Sequence, residues 1–172
     1  MQAEERRQAI LDILRQSAAP VSATALASRF SVSRQIIVGD IALLRATGAT
    51  ISATPRGYML SQQAPSGIIH QVACQHDGAE IMEAELNAMV DQGCTVLDVI
   101  VEHPIYGQLT GSLQLSPRYD VKQFIARCAQ SDARPLSHLT EGIHLHTISC
   151  PDEAAYERVK STLSSIGVLL EN

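Results

Sequence analysis

Two histidines separated by a single residue are the clearest chemical feature of this 172-residue chain. His144 and His146 lie in a run of β-branched and apolar residues that is typical of a strand. Residues i and i+2 of a strand share one face, so both imidazole rings point the same way. A His-x-His strand commonly presents two nitrogen ligands to a transition metal. The pair therefore indicates a metal site, with packed strand histidines as the alternative.

Two further ligands are expected from the elements around this strand. His76 ends an apolar segment that predicts the first strand of the C-terminal half, and Glu85 lies on the helix predicted to follow. In a split β-α-β arrangement we expect the fourth strand to lie beside the first. His76 would then join His144 and His146 at one corner of the sheet, and Glu85 could lean over that corner.

The types of these ligands indicate which ions they would bind. Nitrogen and oxygen donors suit Zn²⁺, Ni²⁺ or Fe²⁺ better than Ca²⁺ or Mg²⁺, which prefer oxygen alone. The spacing does not decide whether the carboxylate ligand is Glu85 or one of its helix neighbours, Glu80 and Glu83. Cys74 and Cys150 keep the same strand alternation as the histidines and are spare thiol ligands. The four cysteines include no CxxC pair, which argues against a zinc knuckle or a thioredoxin-type motif.

The elements that would position these residues follow from the hydrophobic pattern of residues 63–172. Their order is β-α-β-β-α-β-α-β, which contains the split β-α-β (ferredoxin-like) repeat. We therefore expect an α+β sandwich with helices on one face of an antiparallel sheet. The predicted strands lie near 68–76, 95–102, 106–115, 142–149 and 168–170, and the helices near 79–92, 117–129 and 152–165.

Residues 1–62 predict a winged helix-turn-helix. Three amphipathic helices, near 4–16, 23–29 and 33–46, precede a short hairpin near 50–60. In such modules the third helix enters the major groove and the hairpin reaches the DNA backbone or the minor groove. The candidate DNA contacts are Ser33, Arg34, Gln35, Arg45 and Arg56. Gly39, in the middle of the third helix, is either a tolerated surface glycine or a point of close approach to DNA.

Charge divides the chain at the same place. Residues 1–62 carry seven basic and four acidic residues, a net +3, and residues 63–172 carry six basic and fourteen acidic residues, a net −8. The seam lies at Ser61–Gly67, where polar residues, proline and glycine cluster. We expect a DNA-binding domain over 1–62 and a metal- and effector-binding domain over 63–172.

Composition excludes several other classes of protein. Aromatic residues make up 3% of the chain, which argues against a stacking surface for single-stranded nucleic acid. No apolar run is long enough to span a membrane, and residues 1–15 lack the apolar block of a secretion signal. We expect a cytoplasmic protein with no membrane partner.

Longer motifs then resemble known families. Val32-Ser33-Arg34-Gln35 and Arg56-Gly57-Tyr58 are similar to the DNA-binding module of biotin-repressor-type regulators. The stretches 98–107, 135–137 and 142–148 resemble the 3H domain, which is named for its histidines. A helix-turn-helix followed by a 3H domain is the layout of the niacin-responsive repressors of NAD biosynthesis and niacin uptake genes.

This resemblance implies a specific function. The family forms homodimers on double-stranded operator DNA and uses nicotinic acid as corepressor. It implies one divalent metal per chain, held by His76, Glu85, His144 and His146, where Glu85 is chosen because Glu85-Leu86 matches the family's Glu-Leu pair.

The effector contacts and two rival functions stay open. Nicotinate would fill a vacant coordination position, and His103, Tyr106 or Arg118 would fix the rest of it, although His103 could instead be a turn residue with a backbone partner. One rival function is a metal-sensing regulator. The other is a metal-dependent hydrolase fused to a DNA-binding module. Spacing places no second carboxylate or Ser-His pair as a general base, so we expect no enzyme.

Overall fold

The chain folds into two compact units, residues 1–63 and 64–172. The computed structural model describes residues 2–61 and 66–171. The middle of the predicted seam, residues 62–65, therefore lies outside the described residues. Each unit encloses a hydrophobic core of its own.

The N-terminal unit contains three helices and a two-stranded hairpin, as the sequence predicts. The helices are α1 (Ala3–Gln16), α2 (Ala23–Phe30) and α3 (Arg34–Ala46), and the strands are β1 (Ile51–Thr54) and β2 (Gly57–Leu60). Serine hydroxyls cap two of the helices: Ser22 accepts from the backbone of Ala25, and Ser33 from that of Ile36.

An ion pair inside this unit fixes α3 against α1. Asp40, on the inner side of α3, is 4% exposed. It accepts hydrogen bonds from Nε and Nη2 of Arg6 at 2.6 and 3.2 Å, and Nη1 of Arg7 lies 3.7 Å away. A carboxylate this buried is stable only with such partners. The pair therefore positions the helix that would read DNA.

The C-terminal unit is a four-stranded antiparallel sheet with its helices on one face, which confirms the predicted α+β class. The sheet order is β3-β6-β4-β5. Its strands are β3 (Ile68–Gln75), β4 (Thr95–His103), β5 (Gly107–Leu115) and β6 (Ile143–Cys150), and its helices are α4 (Ala79–Val90), α5 (Arg118–Gln130) and α6 (Glu153–Ser165).

The last long strand lies between the two strands that α4 connects. β6 pairs with β3 on one side and β4 on the other. The first and fourth strands are thus neighbours, as expected, but the sequence did not indicate that the fourth would be central. Its alternate residues, His144, His146, Ile148 and Cys150, are buried on the face that the helices cover.

Two segments complete this unit. Residues 168–170 run along the outer edge of β3, where Leu169 forms an isolated bridge with Cys74. The predicted polar loop before β6 contains a short 3₁₀ helix, Leu136–Thr140, and a side-chain methyl of Leu136 lies within 3.2 Å of where Gly111 would carry a Cβ. Across the described ranges, the structure contains no helix that is long and apolar enough to cross a membrane.

The separate cores predict that the two units fold independently. Fragments 1–62 and 63–172, each expressed alone, should unfold cooperatively, with melting temperatures close to transitions of the full chain. Circular dichroism with thermal melting measures this. A fragment that shows no cooperative transition would contradict the proposed boundary.

Candidate metal centre

Three imidazoles converge on one buried carboxylate in the C-terminal unit. Nε2 of His76 lies 2.8 Å from Oε2 of Glu85, and Nε2 of His144 lies 2.9 Å from its Oε1. Nε2 of His146 lies 3.4 Å from Oε2. None of these four side chains is more than 6% exposed. The structure therefore brings all four predicted ligands together.

Strand register and helix position produce this convergence. Val72 and Cys74 on β3 face His146 and His144 on β6 in the antiparallel register. His76, two residues beyond Cys74, therefore continues the same row of side chains. α4 crosses above the row and points Glu85 into it.

Glu85 is the carboxylate that the sequence left open. It is 1% exposed, whereas Glu80 on the same helix is exposed and Glu83 is half-buried. Only Glu85 makes hydrogen bonds to the histidines among the described carboxylates of α4.

Backbone carbonyls orient two of the rings. Nδ1 of His144 donates to the carbonyl of Gly142 at 2.8 Å, and Nδ1 of His146 to that of Asp98 at 2.7 Å. A carbonyl oxygen only accepts, so both Nδ1 atoms carry the proton. In a neutral ring Nε2 then holds a lone pair, and it faces the oxygens of Glu85. Such lone pairs repel the carboxylate unless a proton or a cation lies between them.

The third ring, that of His76, has a second nitrogen, Nδ1, besides the Nε2 that faces Glu85. Nδ1 of His76 is buried and has no hydrogen-bond partner within the described parts of the chain. Buried polar nitrogens in native proteins are normally satisfied by a partner. Three imidazole nitrogens point at one carboxylate, and backbone carbonyls accept hydrogen bonds from two of these rings. These donor atoms and outer contacts are typical of a transition-metal site.

Electrostatics in the cluster favour the ionised form of Glu85 and the protonated form of His144. Burial disfavours the carboxylate form of Glu85, but hydrogen bonds to His144, His146 and His76 outweigh it and hold the pKa of Glu85 well below its usual range. Burial likewise lowers the pKa of His144, but its contacts with Glu85 and Gly142 raise that pKa above the ordinary value overall. The cluster therefore stabilises positive charge beside the carboxylate.

One of the two spare thiols lies in the same cluster. A ligand atom from each of Cys74, Glu85 and His144 lies within 4.8 Å of the other two. Burial and the nearby carboxylate raise the pKa of the Cys74 thiol in the ion-free cluster. A bound metal would itself deprotonate a coordinating thiol, so Cys74 stays a candidate ligand beside His76 and His146. Cys150 instead places its sulfur 3.2 Å from that of Cys94.

The three candidate effector residues do not share one site. Nδ1 of His103 accepts from the backbone N–H groups of Ile105 and Tyr106, so it is a turn histidine with backbone partners. Both oxygens of Asp91 accept from the guanidinium of Arg118 at 2.6 Å. His103 and Tyr106 lie at the tip of the β4–β5 hairpin and Arg118 follows its base, about 25 Å away along β5.

A recess of about 420 Å³ opens near the start of β6. Its lining includes Ala73, Ile100, Leu145 and Leu170, and its titratable lining residues are Glu102 and His144. It is large enough for a small aromatic acid, whose carboxylate would be repelled by Glu102 and attracted by a protonated His144.

The predicted DNA contacts lie on and around α3. Arg34 and Gln35 are exposed on its first turn, and Ser33 caps it. Nε of Arg45 donates to the carbonyl of Ile51 at 2.8 Å, which ties the end of α3 to the hairpin. Arg56 lies in the turn between β1 and β2.

Comparison with known proteins covers both units. Residues 6–59 match an HTH domain, and residues 69–172 match the 3H domain. The probable transcription repressor NiaR of Thermotoga maritima is 45% identical over 168 residues, which are 98% of this chain and 95% of that protein. The transcription repressor NadR of Bacillus subtilis is 41% identical over 172 residues, 97% and 94% of the two chains.

The chain belongs to this family of 3H-domain transcription repressors. The resemblance seen in its sequence is therefore confirmed. Within this 3H-domain repressor, His144 and His146 of the β6 motif contact Glu85 together with His76.

Gly142 controls how closely β6 approaches His76 in the repressor. Its φ is +88°, and a Cβ would lie 2.4 Å from the carbonyl oxygen of His76. Gly142→Ala should therefore destabilise the fold by about 1–3 kcal/mol through backbone strain, and should weaken binding of added Ni²⁺ or Zn²⁺. Chemical denaturation and metal titration measure the two effects.

Gly107→Ala is the matched control. Gly107 also has a positive φ, +71°, but a Cβ there meets nothing within 4 Å. The Gly107→Ala variant should lose stability but retain its metal affinity. Equal metal affinities in the two variants would contradict the role of the close approach.

Proposed function

We propose that this repressor controls genes of NAD biosynthesis or niacin uptake, with nicotinic acid as corepressor and a divalent transition metal in the 3H domain. The observation that carries the metal is the convergence of three Nε2 atoms on Glu85. His76, Glu85, His144 and His146 would hold Ni²⁺, Zn²⁺ or Fe²⁺, since imidazole and carboxylate suit these ions. The ion would supply a Lewis-acidic position for the ring nitrogen or the carboxylate of nicotinate.

The relatives are named as transcription repressors, which supports the regulatory part of this proposal, and niacin as the signal rests on the resemblance of the sequence motifs. The motifs that resemble niacin-responsive repressors include His144 and His146 of the cluster and the His103–Tyr106 turn. Strand register places this turn at the end of the sheet where His144 begins its row, because Ile100 of β4 pairs with Leu145 of β6. We therefore assign the remaining effector contacts to Tyr106 and to Nε2 of His103, whose Nδ1 holds the turn. Arg118 is not assigned to the effector, because it pairs with Asp91.

The proposed domain roles explain how a small ligand bound to one domain would change DNA binding by the other. Residues 1–62 would bind the operator, and residues 63–172 would bind metal and effector. A ligand shifts the DNA-binding equilibrium only if it favours one arrangement of the protein over another. In a homodimer that arrangement is the spacing of two recognition helices, which must match half-sites about one helical turn apart.

Two other functions remain as rivals. In a metal-sensing regulator the ion alone would change DNA affinity, and nicotinate would add nothing. In a metal-dependent hydrolase the ion would activate water. Glu85 already faces all three imidazoles, so it is not free to act as a general base. We therefore propose a sensor without enzymatic activity.

Removal of the carboxylate should abolish tight metal binding. Glu85→Gln keeps the shape but loses the charge, and affinity for Ni²⁺ or Zn²⁺ should fall roughly 100-fold or more, beyond the usual effect of an outer contact. Competition with a chromophoric chelator measures the affinity. Glu80→Gln, on the exposed side of the same helix, is the control.

The same titration distinguishes the two possible ligand sets. Cys74→Ala should retain the metal affinity of the parent, because His76 and His146 complete the set. A large loss in Cys74→Ala, or a cobalt complex with thiolate absorption, would show that the thiol is a ligand instead.

Nicotinate should raise the melting temperature of the metal-loaded repressor, since a ligand of the folded state stabilises it by mass action. It should also strengthen operator binding in a gel-shift assay, by about 5–150-fold for an ordinary coupling. Nicotinamide, which lacks the carboxylate, is the comparison ligand. His144→Ala and His146→Ala should lose both effects. A response to metal that nicotinate does not change would favour the metal sensor.

A further inference from the structure

The outward side of α3 carries two large apolar side chains that the fold does not use. Ile36 is 43% exposed and Leu43 is 53% exposed. The residues that α3 packs into the core form the neighbouring face of the helix: Ile37, Asp40, Ile41 and Leu44. Exposed isoleucine and leucine are ordinary one at a time, but a pair on one side of a helix indicates a contact surface.

Helix geometry places these two residues on one stripe. Ile36 and Leu43 are seven positions apart, which is two turns, so they lie on the same side. Gly39 lies between them in sequence, and a Cβ there would meet nothing within 4 Å. The exposed positions between Arg34 and Arg45 are uncharged: Gln35, Ile36, Gly39, Ala42 and Leu43. Arg34 and Arg45 are each two residues from Ile36 or Leu43, so they lie on the opposite side of the helix from that stripe. The exposed surface of α3 is therefore apolar along one edge and basic along the other.

Double-stranded DNA fits this pattern of charge. Arg34 begins α3 and Arg29 ends α2, so guanidinium groups lie where phosphates would flank a helix in the major groove. Arg45 is at the far end of the same helix. Inside the major groove, the C5-methyl group of thymine is the apolar feature of the base edges, and apolar side chains contact it. A stripe of isoleucine and leucine is thus matched to thymine.

We propose that α3 reads its operator largely through thymine methyl groups, with Ile36 and Leu43 as the specificity-determining residues. Gly39 is the position at which the helix backbone comes closest to the base pairs. Gln35, exposed on the first turn, has the amide geometry that pairs with adenine. This inference rests on DNA binding by the helix-turn-helix, and it does not depend on the identity of the metal or on nicotinate.

Substitution of uracil for thymine tests the proposal directly, because it removes only the methyl group. The probe is the tightest duplex that the full chain, with Ni²⁺ and nicotinate present, selects from a randomised library. Deoxyuridine at the contacted positions should weaken binding about fourfold per methyl, the size expected for one buried methyl group. Deoxyuridine in the flanking sequence should have no effect. Equal affinity for the thymine and uracil duplexes would overturn the proposal.

Side-chain truncation supplies the second arm. Ile36→Ala and Leu43→Ala should bind the thymine duplex more weakly and should no longer distinguish it from the uracil duplex. Ile166→Ala truncates another exposed isoleucine in the other unit and should keep the full preference. If truncation at Ile36 and Leu43 left the thymine preference intact and changed only the oligomeric state in sedimentation, the stripe would be a protein interface and the proposal would be wrong.

Gly39→Ala separates the DNA contact from stability. Alanine favours the helix over glycine, and the space around residue 39 accepts a Cβ, so the melting temperature should stay equal or rise. Affinity for the selected duplex should nevertheless fall at least tenfold, because the added methyl group holds the helix away from the bases. Unchanged DNA affinity in this variant would show that Gly39 is only a surface residue.

Discussion

A buried carboxylate that faces three imidazoles is the constraint on which the C-terminal unit depends. Glu85 is 1% exposed, and an ionised carboxylate is costly at such a position unless positive charge lies beside it. The two ways to supply that charge are protons on the rings or a divalent ion between the donors. Because carbonyls hold the Nδ1 protons of His144 and His146, both ways act at Nε2 and neither needs a rearrangement of these two rings. The orientation of the two rings is therefore compatible with a proton or with an ion at Nε2.

The sheet order follows from this constraint. With β6 between β3 and β4, His146 can contact the backbone of β4 while His144 faces Cys74 on β3. Asp98 of β4 makes two hydrogen bonds with β6: its carbonyl accepts from His146, and its carboxylate accepts from the backbone N–H of Thr147. An edge position for β6 would leave one side of this row without a partner strand. The central strand therefore fixes the site and the topology together.

The sequence predicted the parts of this arrangement that depend on local pattern. Alternation on β6 placed both of its histidines on one face, and the helix pattern placed Glu85 on α4. Strand order depends on pairings between distant segments, so the central position of β6 was not predictable from alternation alone. The pairing of Arg118 with Asp91 was missed for the same reason, because Asp91 follows the end of α4 and Arg118 begins α5. Spacing also left Glu80 and Glu83 open, and only the direction of α4 over the sheet resolves them.

The two units use their charges in opposite ways, and this limits how a ligand can act on DNA. In the N-terminal unit Arg6 balances the buried Asp40 and is not available to phosphates, so the candidate phosphate contacts are the arginines around α3 and Arg56 in the hairpin turn. Residues 63–172 carry a net −8, which repels a polyanion. A ligand bound to the 3H domain would therefore not strengthen DNA binding by bringing that acidic domain against the DNA. In the proposed homodimer, the free energy of effector binding would therefore change operator affinity through the arrangement of the N-terminal units.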